Sequence, residues 1–172
     1  MSQAPFSGPR VVLVGPMGAG KSTVAELLAQ HWEVDVRDTD RDIEAAEGRS
    51  ISDIFVESGE EHFRALEVSA VADALASHTG VLALGGGAVL DPRTREALAG
   101  HRVAYLRVGL TETVKRVGLG TGRPLLLGNV RSRIKALLDE RTPIYESVAT
   151  VSVDTDDKSA DDVAAEIREA LS

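Results

Sequence analysis

Val11-Val-Leu-Val14 runs directly into Gly15-Pro-Met-Gly-Ala-Gly20-Lys21-Ser22, and this dozen of residues decides the fold. Four consecutive β-branched or aliphatic residues predict a strand buried on both faces, as parallel sheets require. The next eight residues fit G-x-x-x-x-G-K-[ST] and precede a helical pattern from about Lys21 to Trp32. In this setting glycines let backbone N–H groups wrap a phosphate, and the helix N-terminus adds a favourable dipole. Lys21 then reaches the β- and γ-phosphates and the Ser22 hydroxyl serves magnesium. A chance glycine turn is the competing reading, but the complete motif between strand and helix predicts a P-loop that binds ATP and Mg2+.

Outward from that strand, apolar runs alternate with helical stretches. Strands are predicted at Val34–Val36, Val81–Leu84, Val103–Leu106 and Thr150–Val153. Two short helices fill Arg41 to Ser58, broken near Gly48, and a longer one covers about Glu60 to Ala76. Further helices are predicted near Pro92–Ala99, from about Thr111, over about Val130–Ser147 and over Ala160–Leu171. Such alternation implies right-handed βαβ units and a parallel sheet with helices on both faces, the α/β class. Ligands of such sheets gather at the strands' carboxyl ends, where Gly15, Asp38-Thr-Asp40 and Gly85-Gly86-Gly87 fall.

Composition agrees and excludes. At 172 residues the chain suits one domain, with residues 1–9 read as a flexible leader. Aromatic residues are 3%, so the core is built from Val, Leu, Ile and Ala. The formal net charge of −8 argues against nucleic acid as partner. Cysteine is absent, which removes disulfides, thiolate zinc sites and thiol nucleophiles. The N-terminal residues lack a basic region followed by an apolar one, and no apolar run is long enough to span a bilayer. The expectation is a soluble, cytoplasmic protein without a membrane partner. The four histidines show no metal-ligand spacing.

Several side chains suggest chemistry, each beside a plainer alternative: a helix cap, a tight turn, an exposed helix pair or an ordinary mobile loop. Asp38 and Asp40 follow a strand beside the P-loop; one carboxylate can serve magnesium through water while the other accepts a hydroxyl proton. The alternative is that Thr39 or Asp40 caps the next helix. Three successive glycines, Gly85 to Gly87, require either positive φ or the close approach of a ligand. Glu67 falls on the apolar stripe Phe63, Leu66, Ala70, Val71 and Ala74, so it needs a partner, which Arg64 supplies one turn earlier. Arg141 shares the stripe Ile134, Leu137, Leu138 and Ile144. Two inward arginines in an acidic chain point to an anionic small substrate. Gly118 to Gly128 reads as a lid loop with hinging glycines, carrying Arg123 as a cation in cis.

Taken together, the P-loop, Asp38-Thr-Asp40, Phe63-Arg64-x-x-Glu67, Val81-Leu-Ala-Leu-Gly-Gly-Gly-Ala-Val89, Arg123-Pro124-Leu125 and Arg141-x-Pro143-x-Tyr145 resemble shikimate kinase, in order, from about Val11 to Val153. The resemblance implies a nucleoside-monophosphate-kinase-like P-loop NTPase fold with five parallel strands and a lid, acting as a monomer. It implies transfer of the ATP γ-phosphate to the 3-hydroxyl of shikimate, toward aromatic amino acids. Asp40 would bind the substrate hydroxyls and act as base, with Lys21 and Arg123 as its catalytic companions. Arg64 and Arg141, with Gly86 and Gly87, would hold the shikimate carboxylate, so the substrate-binding regions are about 38–64 and 85–90. Gly15, Gly18, Ala19, Gly20, Lys21, Ser22, Thr23, Arg116, Arg123 and Lys158 would bind the nucleotide, Arg116 by stacking on adenine. Ser22 and Asp38 would serve the metal. After the last strand, many relatives have an Arg-rich segment with proline where this chain has Thr155-Asp-Asp-Lys158-Ser-Ala160.

Overall fold

The structure, a computed structural model, describes residues 8–121 and 127–172, with side chains described outside 117–130. Strand β1 (Val11–Val14) is wholly buried and central in a five-stranded sheet of order β2-β3-β1-β4-β5. Its neighbours are β3 (Val81–Ala83) and β4 (Val103–Arg107), with β2 (Val36–Asp38) and β5 (Val151–Asp154) at the edges; every pairing is parallel. Register places Val12 opposite Leu82 on one side and Val103 on the other.

Strand alternation sends Val11 and Leu13 to one face and Val12 and Val14 to the other, and each face has its own apolar layer. Helices α1 (Lys21–Trp32) and α8 (Ala160–Leu171) cover the first face, with Leu28 and Ile167 fully buried. The second face lies under α4 (Glu60–Ser77), α5 (Pro92–Leu98) and α7 (Leu127–Val148), whose Tyr145 stacks on Tyr105 of β4. Helices α2 (Thr39–Glu47) and α3 (Ile51–Ser58) pack on α4 through Ile43, Ile54 and Phe63. Helix α6 is Leu110–Thr121.

Four expectations change. β2 is Val36–Asp38 rather than Val34–Val36, because pairing with β3 sets Asp38 opposite Ala83, whereas the Val34 N–H closes the end of α1 on the Ala29 carbonyl. Asp38 therefore ends a strand and α2 begins at Thr39, ahead of the expected Arg41. The lid prediction narrows too: Gly118 and Gly120 lie in α6 and Gly128 in α7, so they are not loop hinges. A glycine costs a helix only about 1 kcal/mol relative to Ala, which continued helical hydrogen bonding offsets. Arg123 lies outside the described residues. On α7, Leu137 is 43% exposed, so the apolar stripe is carried by its C-terminal half, where Tyr145 is fully buried.

Candidate active site

Gly15 and Gly85 leave adjacent strands at the carboxyl edge, where the Leu84 N–H donates to the Leu13 carbonyl at 3.1 Å. The P-loop closes over this point. Gly18 and Gly20 have φ of 83° and 88°, left-handed values that a side chain would strain, and Gly20 caps α1 without using a side chain. The first-turn N–H groups of α1 are thus left for a ligand. Ala19 is buried in the core and anchors the loop, whereas Ser22 and Thr23 are exposed at the helix start.

Lys21 turns back into the loop, its Nζ donating to the carbonyls of Gly15 at 2.5 Å and Pro16 at 3.0 Å. Burial lowers its pKa to about 8; Asp40 and Asp38 oppose that shift and Arg141 adds to it. Below pH 8 the amine is charged and ready for phosphate. Above pH 8 the free site loses that charge, and binding ATP must take up a proton. The apparent KM for ATP is expected to stay flat to about pH 8, then rise about tenfold per pH unit. A KM flat through pH 9 would show that Lys21 keeps its proton in the free enzyme.

The cap of α2 is Asp38, whose carboxylate accepts from the N–H groups of Asp40 at 2.9 Å and Arg41 at 3.3 Å. Neither Thr39 nor Asp40 performs that task. Asp40 is released to face Lys21, its pKa raised by burial and by the charge of Asp38, with Lys21 and Arg64 opposing.

The triple glycine is explained by close approach, since none of its members has positive φ. A Cβ on Gly85 would lie 2.5 Å from the Asp40 carboxylate, and one on Gly87 would lie 2.6 Å from the Arg64 guanidinium. A Cβ on Gly86 would face the P-loop at Met17 N, 3.5 Å away, and Arg141 Nη1 at 3.9 Å. Gly85 and Gly87 thus each make room for a side chain of the site, whereas the distances at Gly86 are ordinary van der Waals contacts.

Arg64 Nη1 meets Glu67 Oε1 at 2.7 Å, and Glu67 is only 2% exposed. The pair is therefore an inward one and not a solvated contact between helix neighbours. Burial raises the Glu67 pKa against the pull of Arg64. Arg141 brings a second guanidinium whose Nε is buried without a hydrogen-bond partner. A buried donor left open this way marks where an acceptor belongs.

Arg116, expected at the nucleotide, donates from Nη1 to the Gly18 carbonyl at 2.7 Å and is braced by Glu112 at 3.2 Å. It thus lies across the P-loop. Lys158 pairs with Glu166 of α8 at 2.9 Å. Two contacts went unforeseen: the Asp156 carboxylate accepts from the Gly109 N–H at 3.1 Å, and the Tyr145 hydroxyl donates to the Gly86 carbonyl at 2.5 Å. Both join residues at least 47 apart; Tyr145 closes a noted motif and Asp156 lies in the noted segment after the last strand, but neither contact is visible in local spacing.

A parallel sheet of this order with a P-loop at its carboxyl edge defines a P-loop kinase of nucleoside-monophosphate-kinase-like fold. A profile of the family described as "Shikimate kinase" matches residues 17–172, and the chain belongs to that family. "Shikimate kinase" of Thermobifida fusca is 57% identical over 165 residues, covering 96% of each chain. Its counterpart from Salinispora arenicola is 56% identical over 163 residues, covering 95% of this chain and 98% of the relative. Among solved structures, "Shikimate kinase from Acinetobacter baumannii in complex with shikimate" superposes with a TM-score of 0.87 at 34% identity, covering 96% of this chain and 93% of that one. A gluconokinase from Sinorhizobium meliloti reaches a TM-score of 0.60 at 19% identity over 98% and 93% of the two chains, a likeness of fold alone. The chain is accordingly an enzyme, a kinase with ATP as phosphate donor. Among the described residues, no helix is long and apolar enough to cross a membrane.

Proposed function

We propose that this chain transfers the γ-phosphate of ATP to the 3-hydroxyl of shikimate, yielding shikimate 3-phosphate and ADP. The observation that carries the reading is the pair of inward guanidiniums at the glycine corner. Arg64 is aimed by buried Glu67, and Arg141 keeps a buried, unpartnered Nε. Two such forks suit a carboxylate on a small acceptor, and no base-recognition surface is needed.

In this reading the P-loop residues Gly15, Gly18, Ala19, Gly20, Lys21, Ser22 and Thr23 hold the phosphates, with Lys21 exchanging its loop carbonyls for phosphate oxygens. Arg116 and Lys158 flank the adenine. Asp40 accepts the proton as the hydroxyl oxygen bonds to phosphorus and the bond to the β–γ bridging oxygen breaks; ADP departs. Arg64, Arg141, Gly86 and Gly87 hold the carboxylate. Arg123, between helices α6 and α7, is assigned to the transferring phosphate and the exclusion of water.

Magnesium fits the residues present. The donors are hard oxygens, the exposed Ser22 hydroxyl at the start of α1 and the Asp38 carboxylate oxygen left free by capping, which suit an ion carried in on phosphates. Ser22 would hold it directly and Asp38 through water, by the oxygen not needed for capping. When bound, the ion neutralises charge between the β- and γ-phosphates. We further assign a monomeric, cytoplasmic enzyme with one kinase domain over 1–172.

The test is ADP release from MgATP with shikimate, gluconate, AMP or CMP supplied singly. Turnover is expected with shikimate alone. Turnover with another acceptor would replace the substrate, and ATP binding with no turnover would make the chain a nucleotide-binding regulatory module.

A further inference from the structure

We infer that Tyr145 is a positioning residue for the acceptor pocket, its hydroxyl holding the Gly86 carbonyl and thereby setting the peptide that joins Gly86 to Gly87. The inference rests on the function proposed above and adds a residue to which no role has yet been given.

Three successive glycines have a permissive backbone; the Ala88 and Leu90 N–H groups hold the Gly85 and Gly87 carbonyls at 3.1 Å each, which leaves the Gly86 carbonyl between them to be held from elsewhere. Gly85 lies against Asp40, and Gly87 lies against Arg64. The tether is the 2.5 Å hydrogen bond from the Tyr145 hydroxyl to the Gly86 carbonyl, across 59 residues of sequence. Because a trans peptide is planar, fixing that carbonyl also fixes the Gly87 N–H, which points the opposite way. One bond thus sets the orientation of a whole peptide group in the corner.

The anchor itself is rigid. Tyr145 is fully buried, and its ring stacks on Tyr105 with centroids 5.1 Å apart and planes 27° apart. Tyr105 belongs to β4, beside the central strand, so the tether is fastened to the sheet. Burial pushes the phenol pKa up to about 12, with the Arg141 charge opposing, so the hydroxyl remains a donor at any working pH. Tyr145 also follows Arg141 by one helical turn, on the same face of α7. That face presents both the guanidinium and the tether, and a Cβ on Gly86 would come within 3.9 Å of Arg141 Nη1. A slide or rotation of α7 would therefore disturb both contacts together.

Tyr145→Phe keeps the ring and removes the bond. Loss of one hydrogen bond to a buried carbonyl is expected to raise the shikimate KM about five- to tenfold, with the ATP KM within about twofold of wild type. Tyr105→Phe, which preserves the stack and leaves the Gly86 carbonyl bonded, is expected to alter neither KM. An unchanged shikimate KM in Tyr145→Phe overturns the inference, as does an equal rise in both KM values. An equal effect of Tyr105→Phe would assign the change to packing, and a variant that does not fold would make the hydroxyl a core element; either overturns it too. If wild-type enzyme uses another acceptor, the proposed substrate fails, and the same comparison is read with that acceptor. Absence of turnover with every acceptor defeats both readings.

Discussion

Replacing Asp40 by Asn is expected to lower kcat by about two orders of magnitude or more, with the KM for ATP little changed. The substitution retains shape, so Gly85 still has room beneath the side chain, and Asp38 still caps α2 through backbone N–H groups. What is lost is the ability to accept a proton. The environment suits a base: burial and the neighbouring Asp38 raise the pKa of Asp40, although Lys21 and Arg64 draw it down. A raised pKa makes the carboxylate a stronger base toward the acceptor hydroxyl. The acid limb of the kcat profile should therefore lie above the ordinary aspartate range, with activity falling as pH drops through the raised value, and it should vanish in the variant. A loss of less than about threefold would remove Asp40 from the role of general base.

Arg64→Lys is the second large effect. Lysine keeps a positive charge near Glu67, so the buried carboxylate is not stranded; truncation to alanine would strand it, at about 3–5 kcal/mol. What lysine cannot reproduce is a planar fork that serves Glu67 with one nitrogen and a substrate carboxylate with the others. Charge-assisted hydrogen bonds contribute about 1.5–3 kcal/mol each, so the shikimate KM should rise about 10- to 100-fold. Binding made equally in ground and transition states leaves kcat alone, so the kcat change should be small. Steady-state kinetics with each substrate varied separately make the comparison. An unchanged shikimate KM would dissolve the proposed clamp.

Both predictions concern residues that could be found without coordinates, and the reason is local. The P-loop is a contiguous solution to binding phosphate, so strand, glycines, Lys21 and helix all appear within one short stretch. Arg64 and Glu67 betray themselves because helical periodicity puts a carboxylate on an apolar stripe, which physics forbids without a partner. Arg141 is a weaker case. Its stripe is half exposed at Leu137, and the open Nε that gives the residue its meaning depends on what surrounds it.

Asp38 and Asp40 show where local reading stops. The pair stood out as acidic residues at the end of a strand, but propensity could not say which of three adjacent residues caps the helix. Pairing with β3 decides it by carrying β2 through Asp38, so that this carboxylate meets the first N–H groups of α2 and Asp40 is left for Lys21. The lid boundaries failed for a related reason. Glycine lowers helix propensity only modestly, and helices α6 and α7 run through residues that looked like hinges.

The amino-acid sequence by itself determined the class of sheet, the glycine-rich loop and the inward Arg64–Glu67 pair, because each is written in the spacing of neighbours along one strand, turn or helix. Only the tertiary structure decided why three glycines stand together, which aspartate caps and which faces the amine, and that Tyr145 holds the glycine corner. Those facts are contacts between elements as far as 59 residues apart, and they exist only once the sheet order brings the elements together.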